Sequence, residues 1–147
     1  MLAGRRGIER VAEIGTGVGV GTAWLAAAVA PGTPVYTAEQ DETLAQEAAS
    51  LFADDPDVHV LAGDWRAVLP PYAPFDLIFV DSGHAKDDPD AVLGLTAPNA
   101  TLVMDDFSAG WQRPDPRRER WLEHPRVTTV ELGTGGNARV LVAVVRR

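Results

Sequence analysis

Apolar and polar positions along this chain follow two periods in turn, and the switches between them outline a fold. A short apolar run, Ile8 to Ile14, leads into glycines at 15, 17, 19 and 21. Ala23-Trp24-Leu25-Ala26-Ala27-Ala28-Val29-Ala30 follows with no helix breaker inside it. This reads as strand, glycine turn, helix. Pro31-Gly32-Thr33-Pro34 is a turn, and Val35 to Ala38 is a short second strand ending at Glu39. Asp41 and Glu42 suit the positive end of a second helix. Within it Leu44, Ala48, Leu51 and Phe52 recur at helical spacing as the expected buried stripe, and Asp54-Asp55-Pro56-Asp57 ends it.

Val58 to Ala62 makes the third strand, ending at Gly63-Asp64-Trp65, with His59 read as a solvent-side or core histidine rather than a ligand. Pro70-Pro71 closes a short helical segment. Phe75 to Val80 is the most apolar strand, of the kind buried on both faces of a parallel sheet, and it ends at Asp81-Ser82-Gly83-His84. Asp88-Pro89 reads as a cap followed by proline in the first turn of a helix running through Leu95. Pro98-Asn99 turns the chain into a fifth strand, Thr101 to Met104, ending at Asp105-Asp106. Asp115-Pro116 repeats the capping device for a helix carrying Trp121 and Leu122, which Pro125 stops. Val127 to Leu132 and Ala138 to Val145 then read as a β-hairpin around Gly133–Asn137.

Strands alternating with helices imply an α/β fold, with a mostly parallel sheet covered by helices on both faces. The terminal hairpin adds an antiparallel strand. With 147 residues and 46% hydrophobic side chains, residues 1–147 are expected to form a single domain with a sizeable core. There is no run of 18 apolar residues, and Glu9 and Glu13 interrupt any signal-like segment after the basic N-terminus, so no membrane role is expected and the cytoplasm is the default compartment. A net charge of −8 argues against nucleic acid as a partner, because binding a phosphate backbone relies on positive surface. Of 13 basic residues only Lys86 is lysine, which with the abundant Ala and Gly reads as coding bias rather than chemistry.

Candidate chemistry gathers at strand ends. In open α/β sheets, ligands bind outside the carboxyl ends of the strands. Here those ends carry Glu13 and Gly15, Glu39, Asp64, Asp81, and Asp105 with Asp106. The glycines are spaced G-x-G-x-G-x-G, not the G-x-G-x-x-G of dinucleotide sites, because Val20 and Thr22 stand where a third glycine would fall.

At these residues the chain resembles the class I S-adenosylmethionine-dependent methyltransferases, over about residues 8 to 145. The resemblance implies a Rossmann-like fold with a seven-stranded sheet. It implies cofactor contacts at Glu13, Gly15, Thr16, Gly17 and Gly19, with Glu39 and Gln40 at the ribose. Gly63, Asp64 and Trp65 would meet the adenine, and Asp81 would lie beside the cofactor. A single carboxylate such as Glu39 offers two acceptor oxygens to a vicinal diol. Within the class, Phe75-Asp76-Leu77-Ile78-Phe79-Val80-Asp81 and Met104-Asp105-Asp106 are similar to the cation-dependent O-methyltransferases of the catechol and caffeoyl-CoA type. That branch holds Mg2+ or another divalent cation, which places Asp81, Asp105 and Asp106 as ligands, with Asp106 standing where the family has Asn. His84 falls near the family's lysine base and is the implied proton acceptor, with Asp81 beside it; an exposed histidine without a role is the alternative.

The implied reaction is O-methylation of a small hydroxylated, aromatic molecule. Only Met1 to Gly7 precede strand one, where that branch has helices closing over the cofactor. The acceptor site is then open, or a second copy of the chain completes it as a homodimer, or the chain is a degenerate member. Trp111 and the Gly110–Pro114 loop are the in-chain candidates for an acceptor wall. Three other readings remain at this point: an NAD-linked oxidoreductase, disfavoured by the glycine spacing and the terminal hairpin; a metal-independent methyltransferase in which Asp105 and Asp106 cap a loop; and a cofactor-binding module without catalysis.

Overall fold

A computed structural model describes residues 2–108 and 115–146. Seven strands form one sheet: β1 (Val11–Ile14), β2 (Val35–Glu39), β3 (Val58–Ala62), β4 (Phe75–Val80), β5 (Thr96–Ser108), β6 (Val127–Gly135) and β7 (Ala138–Val145). Their order is β3-β2-β1-β4-β5-β7-β6. The first five are parallel, and β7 runs antiparallel to both β5 and β6. The architecture is the expected Rossmann-like sheet with a terminal antiparallel hairpin. All four residues of β1 are buried, because this strand is covered on both faces. The order reverses between β1 and β4, which puts the crevice used by ligands at the carboxyl ends of these two strands.

Helices α1 (Val20–Ala28) and α2 (Glu42–Leu51) lie on one face, over Val11, Val35, Val58 and Leu77. The other face carries the larger core, where Ile14, Ile78, Leu102 and Leu141 meet Trp65 of α3 (Trp65–Val68), Val92 of α5 (Pro89–Leu93) and Trp121 of α6 (Pro116–Glu123). A 3-10 turn, Pro70–Tyr72, follows α3, and α4 (Gly83–Lys86) follows β4. His59 stacks on Tyr36 with ring centroids 4.7 Å apart, as a packing residue. On the α1 side an apolar groove of about 320 Å³ lies among Leu2, Trp24, Leu25, Phe79 and Val103, where β4 and β5 extend beyond the helix. No described helix is long and apolar enough to cross a membrane.

Four local expectations are corrected. Helix α1 starts at Val20, three residues before the alanine run, because Gly19 adopts a left-handed conformation and turns the chain directly into the helix. Leu51 is 64% exposed rather than part of the α2 stripe, and Ala45 and Ala48 are the residues buried against the sheet. Leu51 and Phe52 lean instead over Gly19. Strand β5 begins at Thr96, paired with Phe75, and the expected Pro98-Asn99 turn is an irregularity inside the strand with Asn99 at φ 63°. The helix after Asp88 stops at Leu93, since Gly94 and Leu95 close it and lead back to Phe75.

Candidate active site

The glycine turn is built by close approach. The Gly15 N–H donates to the Ala38 carbonyl (3.0 Å), tying the end of β1 to β2. Gly15 has φ 101°, and a β-carbon there would overlap the carbonyl oxygen of Asp81. No other residue type meets both conditions. The Gly17 N–H donates to Glu39 Oε2 (2.8 Å), and the Asp41 N–H donates to Glu39 Oε1 (2.9 Å). Glu39 therefore links the glycine turn to the start of α2 while each oxygen keeps a lone pair for a further donor. Gly19 precedes α1 with no side-chain cap, so the first N–H groups of this nine-residue helix face the crevice without a side-chain partner.

Behind the turn sits a buried carboxylate. Glu13 is wholly buried, and its Oε2 accepts from Thr22 Oγ1 and from Thr37 Oγ1 (2.6 Å). With its proton directed to Glu13, the Thr37 hydroxyl accepts from Thr16 Oγ1 (2.5 Å), so the chain of bonds ends in the glycine turn. Glu13 Oε1 has no hydrogen-bond partner among the described residues. Burial pushes the Glu13 carboxyl up to about 7, against the two threonine bonds that lower it, with Asp81 and Asp105 adding to the rise.

Across the crevice, one ligand oxygen each of Asp81, Asp105 and Asp106 lie within 4.8 Å of one another. Successive strand residues normally point to opposite faces. Asp105 and Asp106 converge because β5 bulges between Met104 and Phe107, with Asp106 at φ 57°, a left-handed conformation that Asp tolerates better than most residues. Partial desolvation raises the Asp81 carboxyl above its ordinary value, and Asp105 raises it further. Lys86 completes the cluster. Its side chain is 4% exposed, and Nζ lies 3.1 Å from Asp105 Oδ1 and 5.7 Å from the centroid of the Phe107 ring.

Helix α6 braces the element that carries Lys86. The Trp121 indole N–H donates to the Lys86 carbonyl (2.9 Å). Arg117 pairs through two N–H groups with both oxygens of Asp87 (2.8 and 2.7 Å), holding that carboxyl below its usual range, and Arg120 Nη1 donates to the Asp87 carbonyl (2.6 Å).

The family model described as "Methyltransferase domain" matches residues 12–107. The chain belongs to this methyltransferase family. A curated relative, the protein-L-isoaspartate O-methyltransferase of Ignicoccus hospitalis, is 41% identical over 68% of this chain and 47% of its own length. The corresponding enzyme 1 of Geotalea uraniireducens is 38% identical over 65% and 43%. The chain thus spans less than half the length of these curated relatives. Among solved structures, the O-methyltransferase TomG of Streptomyces achromogenes, involved in tomaymycin synthesis and in complex with SAM, matches with TM-score 0.79 and 29% identity over 99% of this chain and 77% of its own. An O-methyltransferase of Bacillus cereus in complex with SAH matches with TM-score 0.77 and 28% identity over 95% and 75%.

In this methyltransferase domain, the residues expected at the cofactor divide into two groups. Gly15, Gly17, Gly19, Glu39, Gly63 and Asp81 lie at the carboxyl ends of the strands, and the Gly63 N–H donates to the Glu39 carbonyl (2.8 Å). Gln40 is exposed just beyond β2. Glu13 lies deeper: its carboxylate sits beneath Gly21 and Thr22 of α1 and connects to the glycine turn through Thr37 and Thr16, the latter also buried. Trp65 also lies inward. Its ring is 8% exposed and belongs to the core, with the Arg66 guanidinium over its face at 4.5 Å. Asp64 Oδ1 caps α3 through the Arg66 N–H (2.9 Å), and its other oxygen keeps its accepting capacity.

His84 is exposed on α4, two residues before Lys86. Trp111 and the 110–114 loop lie outside the described residues. Lys86 is the site residue that reading for composition missed. The signal was present: a lone lysine in an arginine-rich chain, five residues after Asp81.

Proposed function

We propose that this domain transfers a methyl group from S-adenosylmethionine to a hydroxyl oxygen of a small, aromatic acceptor, with a divalent cation at Asp81, Asp105 and Asp106. The convergence of three carboxylates beside the glycine turn carries this reading. The residues suit both groups. Gly17 lets a ligand approach the backbone of the turn without side-chain bulk, since a Cβ there would meet nothing within 4 Å. Glu39 accepts from the ribose hydroxyls with its remaining lone pairs. Asp64 accepts from the adenine amino group with the carboxylate oxygen that does not cap α3.

When bound, the cofactor supplies an electrophilic methyl group on a sulfonium, so the chain's task is placement of the acceptor. The carboxylates of Asp81, Asp105 and Asp106 are the hard oxygen donors that Mg2+ or Mn2+ takes. Such an ion would lower the pKa of an acceptor hydroxyl and relieve the Asp105 repulsion that adds to the rise desolvation gives Asp81. His84, exposed on α4, accepts the released proton.

A second reading comes from the curated relatives, whose names specify methylation of isoaspartyl protein carboxylates. Charge disfavours it here: an acceptor carboxylate would approach three aspartates on a chain of net charge −8. The test is methyl transfer from labelled S-adenosylmethionine to a catechol and to an isoaspartyl peptide, each with Mg2+ and with EDTA. Transfer to catechol that EDTA abolishes is expected. Transfer to the peptide irrespective of EDTA would replace this reading with the second one.

A further inference from the structure

We infer that Lys86 is a tethered counter-cation of the Asp81–Asp105–Asp106 cluster, holding Asp105 until a divalent ion displaces it and thereby setting the cluster's affinity for such ions. The inference rests on the cation reading given above. The structure already places one positive charge at this cluster: the Lys86 ammonium lies 3.1 Å from Asp105 Oδ1 with its side chain 4% exposed. A buried ammonium persists only where carboxylates compensate its lost hydration. Three aspartates and one lysine leave a formal charge of −2, which one divalent ion neutralises.

The choice of residue fits that role. This chain uses arginine at every basic position but Lys86. Arginine presents a broad planar fork, whereas the lysine ammonium is a compact point charge on a flexible stem. It can therefore occupy a space a metal ion would use and withdraw from it. Phe107 offers a place to withdraw to, because its ring centroid already lies 5.7 Å from Nζ and an aromatic face attracts a cation. The backbone of Lys86 stays fixed meanwhile, since Trp121 holds its carbonyl. Asp105 Oδ1 is then shared between two cations in competition, and removing the tethered one strengthens binding of the other.

The experiment measures Mn2+ binding to the full chain with S-adenosylhomocysteine present, following free Mn2+ by electron paramagnetic resonance. Lys86→Met and Lys86→Gln are each expected to bind Mn2+ at least tenfold more tightly than the wild type. Equal or weaker binding by the folded variants overturns the inference and leaves the cation site standing. Binding by the variants and none by the wild type overturns the displacement and removes the divalent ion from the proposed wild-type reaction. No binding by any of the three overturns both. Because Lys86 is the chain's single lysine, 13C-lysine labelling gives one side-chain ε signal in the unmutated protein, which tests the same point if the variants do not fold. That signal is expected to shift saturably with Mg2+, and an ε signal unmoved at high Mg2+ overturns the displacement.

Discussion

Gly21 lies directly over the carboxylate of Glu13. A β-carbon at this position would overlap Glu13 Oε1 and stand 3.1 Å from Phe79 Cε1. Glycine in a helix normally destabilises it by about 1 kcal/mol relative to alanine. Here Gly21→Ala is expected to reverse that sign, because overpacking costs about 1–3 kcal/mol and the obstacle is a carboxylate tied to two threonines. Urea unfolding measures the net effect. In a double-mutant cycle, Glu13→Ala is expected to relieve part of the loss, and strict additivity of the two changes would contradict the contact.

The buried Glu13 also gives stability a pH dependence of defined sign. Its carboxyl stands at about 7 in the folded chain, against 4.5 ordinarily. Between these values the folded state holds a proton that the unfolded state has released. Stability therefore falls as pH rises through this window, by about 1.4 kcal/mol per unit and on the order of 3 kcal/mol in all. Glu13→Gln, neutral at every pH, is expected to flatten this contribution. Denaturation at pH 5, 6, 7 and 8 checks it, and identical slopes for the two proteins would refute the assignment.

Glu39 serves the glycine turn and, in the proposed function, the cofactor ribose. Glu39→Ala removes the acceptor of the Gly17 N–H as well as the site for two hydroxyls. Loss of a charged acceptor is worth roughly 1.5–3 kcal/mol, so the dissociation constant for S-adenosylhomocysteine is expected to rise about tenfold to a hundredfold. Calorimetric titration measures it. NAD is expected not to bind either protein.

Among the contacts that brace α4 against α6, magnitudes separate two. The Arg117–Asp87 pair has side chains 38% and 41% exposed, so its loss in Arg117→Ala is expected to cost at most about 1 kcal/mol. Trp121 is fully buried and satisfies the Lys86 carbonyl. Trp121→Phe leaves that carbonyl without its donor and is expected to cost about 1–3 kcal/mol. Comparison of unfolding midpoints orders the two, and an equal loss would show that α4 is held by something other than the indole bond.

The acidic residues at strand ends and the strand-turn-helix around Gly15 were legible in the sequence because each is a local pattern: a run of apolar residues, a cap, a breaker. Alternation of strands and helices was sufficient to specify a parallel sheet, since parallel neighbours need a crossover and the hairpin does not. What the tertiary structure decided was where side chains point once distant segments meet. Glu13 precedes the glycines near the carboxyl end of β1, yet the closeness of Gly21 and the hydroxyls of Thr22 and Thr37 draw it under α1. Asp105 and Asp106 would face opposite ways on a regular strand, and only the bulge formed as β5 pairs with β7 turns both towards Asp81. Lys86 carries no periodic or capping signal at all. Its burial follows from the meeting of α4, β5 and α6, and the carboxylates that make such burial tolerable lie 19 residues away in the chain at Asp105. Periodicity fixes which elements form, because it acts between near neighbours; charge compensation acts through space, and its partners exist only after the chain has folded.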